Sequence, residues 1–340
     1  MRLALVMCSA NRSMRGGTRE IALCRALAEA GIEARIWRMH AGEQVEEEPE
    51  TGVPVTYCPA DDPALKRPAM VSAALRRSLA AWRPDFVLYK GLGYRVAADT
   101  QAALGETRHG FIVGGSVRDA ILDSAALVLA EYEEQLARHF PRHLAEGGAM
   151  VLPKWVDWTL AGDGTPAEAP DFDIVNVGTF ADERKNQAAL LPFAAKRRIA
   201  LVGGGKRLPA LREAVRAARH AGQVRFFGHV EHARVFEVLR RSRLMVHTSR
   251  GDGLPRAAIE AMACGLPVIA FRDTLPGGIP PEAGLLVGEA GLPHAVRLLL
   301  EDETLRRVMG AAARRHVERH HGEAAIAEAA QRLAAMLRAL

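Results

Sequence analysis

Strand-like and helix-like patterns alternate along nearly the whole of this chain, and that alternation constrains the fold more than any other feature. Arg2 to Cys8 is a short apolar run followed by a polar loop, the pattern of a buried strand. The loop Ser9 to Gly17 ends in Gly16-Gly17. Thr18 then caps a helix that carries Ile21, Cys24, Leu27 and Ala28 on one face and stops at Gly31. Glu33 to Met39 reads as the next strand. Strand, glycine loop, helix and strand form the opening unit of a doubly wound sheet. The pattern predicts further strands at Pro54 to Cys58, Asp85 to Tyr89, Gly110 to Val113, Leu127 to Ala130 and Met150 to Pro153. It predicts helices over Ser72 to Ala81 and Glu131 to Phe140, and an acidic loop over Glu43 to Glu50.

The stretch Ala161 to Pro170 has small residues, Gly and Pro with no apolar period, and reads as a linker. A second alternating unit follows. Strands are expected at Asp173–Val177, Arg198–Val202, Val224–Phe227, Leu244–His247 and Val268–Phe271. Helices are expected at Leu208–His220, Val235–Ser242 and Pro255–Cys264. Two helices, Leu292–Leu300 and Leu305–Leu340 with a break near Gly322, close the chain. The expected class is α/β, with two domains and mostly parallel sheets. The expected division is 1–160, a linker at 161–170, and 171–322, followed by the last helix.

Length and composition agree with this. A chain of 340 residues suits two domains, and 49% apolar with 25% charged residues excludes disordered, collagenous and disulfide-scaffold classes. Cys8, Cys24, Cys58 and Cys264 have no metal-binding spacing and fit a reduced cytoplasm. No run of about 18 uncharged apolar residues exists, and the N-terminus lacks a signal-peptide pattern, so a cytoplasmic protein is expected. The net charge of +5 is uneven: residues 191–250 hold 14 basic and 3 acidic side chains. Such a block suits an anionic ligand such as a nucleotide, or is simply a set of solvated Arg-rich helix faces. Without interleaved aromatics or a nucleic-acid-binding signature, nucleic acid is not an expected partner.

The segment that carries chemistry is Leu244 to Phe271, LMVHTSRGDGLPRAAIEAMACGLPVIAF. A strand runs into a polar loop holding Asp252 and Gly253. Pro255 then takes the first-turn position, where its missing N–H costs nothing. A helix N-terminus with unpaired N–H groups suits a diphosphate. The eight-residue offset between Asp252 and Glu260 places them at opposite ends of a site about a nucleotide sugar long. One carboxylate can accept from sugar hydroxyls and the other from ribose hydroxyls. The alternatives are an N-cap role for Asp252 and an exposed position for Glu260.

This segment resembles the E-x7-E motif of the retaining glycosyltransferases of the two-Rossmann-domain (GT-B) class, family 4, glycosyl transferases group 1. The family reads much like EGLPRVLLEAMACGLPVIA, and this chain has DGLPRAAIEAMACGLPVIA. The resemblance extends over nearly the whole chain and implies two Rossmann-like domains facing each other across a cleft, with the last helix, about 323–340, packing back on the first domain. DIVNVGTFADERKNQ looks like the strand that opens the second domain, where the family has VGR and a Lys six residues after the Arg. Lys185 matches that Lys, Thr179 stands at the Arg, and Arg184 is the neighbouring cation that would substitute. Gly203 to Gly205, with Gly204 at the centre, resemble the next glycine turn. Gly228, His229 and Val230 resemble the loop that contacts the base. VLPKWVDWTLAG looks like the family's VIPNGVD. Gly16 and Gly17 match the double glycine whose amides approach the donor phosphate.

The chain also departs from the family. The histidines usual in the first domain are replaced by Gly114, in FIVGGSVRD, and by Lys90, in VLYKG. Lys90, Arg118 and Asp119 are the candidates for acceptor or sugar contacts. The resemblance implies retaining transfer from a nucleotide-diphosphate sugar, in which the leaving phosphate takes the acceptor proton. Lys185, the Gly16–Gly17 amides and the helix start at Leu254, Pro255 and Arg256 would stabilise the diphosphate, with the N–H groups coming from the neighbours of Pro255. Asp252 would orient the sugar and Glu260 the ribose. It implies no metal and no cofactor beyond the donor substrate. The acceptor would be a glycan, lipid-linked or small-molecule hydroxyl, as in envelope polysaccharide or glycoconjugate synthesis. A net charge of +4 over residues 1–40 would favour peripheral contact with an anionic membrane. Three other readings stay open: a nucleotide-sugar-binding protein without transfer, a nucleotide-sugar epimerase, and a nicotinamide-dependent oxidoreductase. The last lacks a G-x-G-x-x-G after the first strand.

Overall fold

The computed structural model describes residues 1–9, 18–40, 46–47, 52–114, 119–165, 167–220, 222–272 and 279–340. The chain divides into two compact units, Met1–Trp155 together with Glu323–Leu340, and Val156–Gly322.

The first unit is built on eight strands: β1 (Arg2–Met7), β2 (Glu33–His40), β3 (Glu46–Glu47), β4 (Val55–Pro59), β5 (Phe86–Lys90), β6 (Arg108–Ile112), β7 (Leu127–Ala130) and β8 (Ala149–Val151). Their order is β3-β4-β2-β1-β5-β6-β7-β8. Every pairing is parallel except β3 with β4. Alternation along β1 explains why it is central. Leu3 and Leu5 enter one apolar cluster, and Ala4 and Val6 enter the cluster on the opposite face. A strand buried on both faces needs apolar residues at successive positions, as this one has.

Local signals set the helix starts. Thr18 accepts from the Ile21 N–H and Ser72 from the Leu75 N–H, each capping the helix that follows. The last helix, Glu323–Ala339, places Ile326, Ala330, Leu333 and Leu337 in the same cluster as Leu23 and Leu27 of helix Arg19–Glu29. Arg338 donates to the Ala30 carbonyl at the end of that helix, at 2.5 Å.

The second unit has six strands: β9 (Phe172–Val177), β10 (Ile199–Val202), β11 (Val224–Gly228), β12 (Ser242–His247), β13 (Val268–Phe271) and β14 (Gly284–Val287). All pair in parallel, in the order β11-β10-β9-β12-β13-β14. The chain moves outward from β9 to β10 and β11, returns to β12 beside β9, and continues the other way. The strand order therefore reverses between β9 and β12, and in the first unit between β1 and β5. Ligands of doubly wound sheets bind outside the carboxyl ends of the strands at such a reversal.

Several elements differ from the sequence expectation. The division falls at Trp155/Val156, so residues 161–170 lie inside the second unit. Arg314 donates to the Gly162 carbonyl at 2.8 Å, and the Ala167 N–H donates to the Arg240 carbonyl. The composition there marks turns, and packing holds those turns against one unit. The chain closes with three helices, Leu292–Glu301, Glu303–His321 and Glu323–Ala339. The break at Gly322 is where expected: a Cβ there would sit 2.3 Å from the Glu318 carbonyl oxygen, so only glycine fits the bend. Helix Arg95–Leu104 was not expected, since its buried face, Val96, Ala97 and Thr100, lies at helical spacing but is made mostly of small or polar residues. Strand β14 was also missed, since only Gly284 of its four residues is fully buried, and β3 was missed inside the stretch read as an acidic loop, its two residues being too few to carry a pattern. Among the described residues no helix is long and apolar enough to cross a membrane.

The final helix belongs energetically to the first unit. Leu333→Ala is expected to cost about 2–5 kcal/mol, the range for a leucine removed from a packed core. Val308→Ala, at an exposed position, should change stability by less than about 0.5 kcal/mol. Urea unfolding of the two variants measures the contrast.

Candidate functional site

The carboxyl ends of β9, β10 and β11 are tied together by backbone bonds. Gly178 donates to the Val202 carbonyl at 2.9 Å, Gly203 to Gly228 at 2.8 Å, and Phe180 to Gly204 at 2.8 Å. Gly203 has φ +136, and a Cβ on it would lie 1.8 Å from the Gly178 oxygen. The turn therefore requires glycine. Gly204 has more room, and its nearest neighbour beyond the turn is His229 at 3.8 Å. The structure thus brings the Gly204 turn against the Gly228–Val230 loop. Thr179 uses its hydroxyl to donate to the Gly204 carbonyl at 3.3 Å, so it ties the turn and supplies no charge.

At the reversal between β9 and β12 lies a cluster of charged groups. Asp252 follows β12, and Arg184 and Lys185 sit in a short 3-10 turn, Glu183–Lys185, after β9. Lys185 Nζ donates to Asp252 Oδ2 at 2.7 Å, and Arg184 Nη1 donates to Oδ1. His247, the last residue of β12 and buried, places Nε2 3.2 Å from Asp252 Oδ2. The two segments are stapled as well. Arg250 N–H donates to the Arg184 carbonyl at 2.9 Å, and Thr248 Oγ1 donates to the Lys185 carbonyl at 2.8 Å. Asn176 on β9 reaches across to the Val246 carbonyl at 2.8 Å. Burial alone would raise the Asp252 pKa. The neighbouring His247, Lys185, Ser249 and Arg184 outweigh it and hold the carboxyl well below the usual range. Arg184 Nε also lies 3.9 Å from Asp182 Oδ1, so the two permanent cations face two carboxylates, and an anionic ligand would compete with these for them.

Helix Arg256–Ala263 starts just after this cluster. Pro255 is its N-cap with extended backbone, φ −71 and ψ 132, and Arg256 is the first helical residue. This corrects the first-turn placement of Pro255 by one position. The early N–H groups of a helix have no partner within it, so Arg256 and Ala257 present the donors. Gly253 is half-buried, and Leu254 is buried in the apolar cluster beneath the helix. Glu260, in the second turn, is only 5% exposed. Its Oε1 accepts from His232 Nε2 at 2.8 Å. That bond raises the His232 pKa against partial burial, and the Glu260 charge adds to it.

The remaining candidates fall elsewhere. Val230 packs on the apolar cluster of this unit. In the first unit, Lys90 ends β5 and donates to Glu20 Oε1, which also accepts from Arg19 Nε at 3.1 Å. Asp119 spends both oxygens on backbone, accepting from Ile121 N at 3.3 Å and Gly93 N at 3.0 Å. Gly16, Gly17 and Arg118 lie outside the described residues. His247 and His232 were missed by the sequence reading. His247 was the end of an apolar strand, and His232 preceded the expected helix start. Among the described residues, no group of three or more His, Cys, Asp or Glu could hold a metal ion.

The architecture is that of the GT-B class, two Rossmann-like α/β domains. Residues 171–302 match the family model of glycosyl transferases group 1. The chain is 31% identical over 157 residues to N-acetyl-alpha-D-glucosaminyl L-malate synthase of Bacillus anthracis, a match covering 42% of this chain and 40% of that protein. It is 36% identical over 133 residues to a GDP-mannose-dependent monoacylated alpha-(1-6)-phosphatidylinositol monomannoside mannosyltransferase of Corynebacterium glutamicum, covering 35% of this chain and 33% of that one. These matches thus span less than half of either relative. Among solved structures, sucrose-phosphate synthase from Thermosynechococcus elongatus superposes with a TM-score of 0.78 at 21% identity, covering 99% of both chains. Anabaena HepE in complex with UDP-glucose superposes with a TM-score of 0.73 at 16% identity, covering 100% of both.

Because the folded Asp252 pKa is lowered, its ion pairs stabilise the fold fully above the unfolded carboxyl value of about 3.9. That stability is lost as the pH falls through the folded value. Asp252→Asn is therefore expected to be less stable than wild type at pH 7. The gap should narrow only below about pH 4. Urea unfolding between pH 3 and pH 7 measures it.

Proposed function

We propose that this chain is a retaining glycosyltransferase that moves a sugar from a nucleotide-diphosphate donor to an acceptor hydroxyl. The observation that carries the reading is the Asp252–Lys185–Arg184 cluster at the reversal of the second sheet, with Glu260 on the helix that follows. The match to glycosyl transferases group 1 over that unit supports it, as do the glycosyl-transfer names of the relatives. The HepE complex with UDP-glucose supports the donor class.

In this reading the donor diphosphate takes over part of the Lys185 and Arg184 contacts that Asp252 holds in the free protein. Arg184 supplies the second cation, which Thr179 cannot. The N–H groups of Arg256 and Ala257 add positive potential at the helix start. Negative charge grows on the leaving phosphate as the glycosidic bond loosens, and these groups are already aimed at it. The acceptor oxygen attacks from the same face and its proton passes to the leaving phosphate, so retention requires no protein base. Asp252 orients the sugar and Glu260 the ribose. Lys90 lies on the acceptor side, and Arg118 is assigned there with it. Asp119 serves there through the backbone it caps. No metal takes part. The acceptor is a glycan, a lipid-linked saccharide or a small molecule, and the reaction runs in the cytoplasm, with peripheral contact to anionic membrane. The rival of a binding protein without transfer rests on Thr179 and on the absent first-domain histidines, and the position of Arg184 weighs against the first of these grounds.

Calorimetry with UDP, GDP, ADP and CMP tests the donor site. One nucleoside diphosphate should bind, and Lys185→Ala should weaken it about 10- to 100-fold, the loss of a charge-assisted bond. Absence of any binding by wild type would sink the proposal. With the matching nucleotide sugar, turnover should survive EDTA, and NMR of the first-formed product should show the donor's anomeric configuration. An inverted product would remove retention from the proposal.

A further inference from the structure

Glu260 is a nearly buried carboxylate whose two oxygens are not equivalent. Oε1 accepts from His232 Nε2 at 2.8 Å, and among the described residues nothing donates to Oε2. Oε2 is not a buried orphan: it reaches solvent, and there it can accept from an incoming donor. His232 is the first residue of helix His232–Arg240, separated from the Gly228–Val230 loop only by the N-cap Glu231. It therefore joins the loop after β11 to the carboxylate on the helix after β12. Its ring is itself held, edge-on to Phe236 with centroids 5.2 Å apart. The charges of Arg256 and Asp157 also act on it, with opposite signs.

We propose that His232 is a positioning residue for the donor nucleoside. It occupies Glu260 Oε1, locks the carboxylate rotamer, and leaves Oε2 to accept from a ribose hydroxyl. The inference rests on the donor-site reading above and deepens it. His232 touches the ribose only through Glu260, so it acts on affinity for the nucleoside and not on the phosphates. Without the imidazole, Glu260 must either swing toward water or satisfy Oε1 with the ribose itself, and the fixed geometry is lost.

The test uses the nucleoside diphosphate that wild type binds, its 2′,3′-dideoxy counterpart and inorganic pyrophosphate, measured by calorimetry. His232→Leu should weaken the ribonucleotide about tenfold. It should leave the dideoxy nucleotide and pyrophosphate within about twofold of wild type. His232→Gln, whose amide nitrogen reaches the position of Nε2, should restore most of the ribonucleotide affinity. Equal weakening of all three ligands would mean a structural role and overturn the proposal, as would unchanged ribonucleotide binding by His232→Leu. A wild type that binds no nucleoside diphosphate overturns the donor site itself, a different failure from a wild type that binds while His232→Leu binds equally well.

Discussion

The reversal of strand order between β9 and β12 is the constraint on which the site depends. Parallel strands joined by right-handed crossovers can grow from a central pair in two directions. Growing both ways sends the loops after the two central strands apart, and a crevice opens between them at the carboxyl ends. Here the loop after β9 delivers Arg184 and Lys185, and the loop after β12 delivers Asp252. No side chain in the site could meet its partner without that order, because Lys185 and Asp252 are 67 residues apart in sequence.

Within the crevice one carboxylate holds the arrangement. Asp252 collects Lys185, Arg184 and Ser249 and lies beside His247, so the cations are fixed in place by a group of opposite sign. Fixed charges lose little on meeting a ligand, because their orientation is already set. The same logic operates at Glu260, where His232 settles one oxygen and leaves the other. The helix Arg256–Ala263 links the two carboxylates, with one just before its start and the other in its second turn.

Much of the fold was legible because strand burial on both faces leaves contiguous apolar runs, as in Leu3 to Val6 and Val268 to Phe271. Helix starts were legible where a hydroxyl caps, as at Thr18 and Ser72. The helix Arg95–Leu104 was overlooked because its buried stripe, Val96, Ala97 and Thr100, is mostly small or polar and gives a weak signal. The segment around Asp252 and Glu260 was legible through its motif. His247 was not, since its ring lies at the end of a strand that otherwise reads as core. His232 was not, since the crossover from β11 to β12 must carry its helix over β10 and β9 to reach Glu260.

The sequence by itself determined the alternation of elements, the doubly wound class and the motif from Asp252 to Glu260. Each is written in local periodicity or in residues close together in the chain. Only the tertiary structure decided that Arg184 turns toward Asp252, that residues 161–170 belong to the second unit, and that Glu260 is paired with His232. Those contacts join residues brought together by strand order and crossover handedness, and nothing local in the chain encodes which side chains will meet.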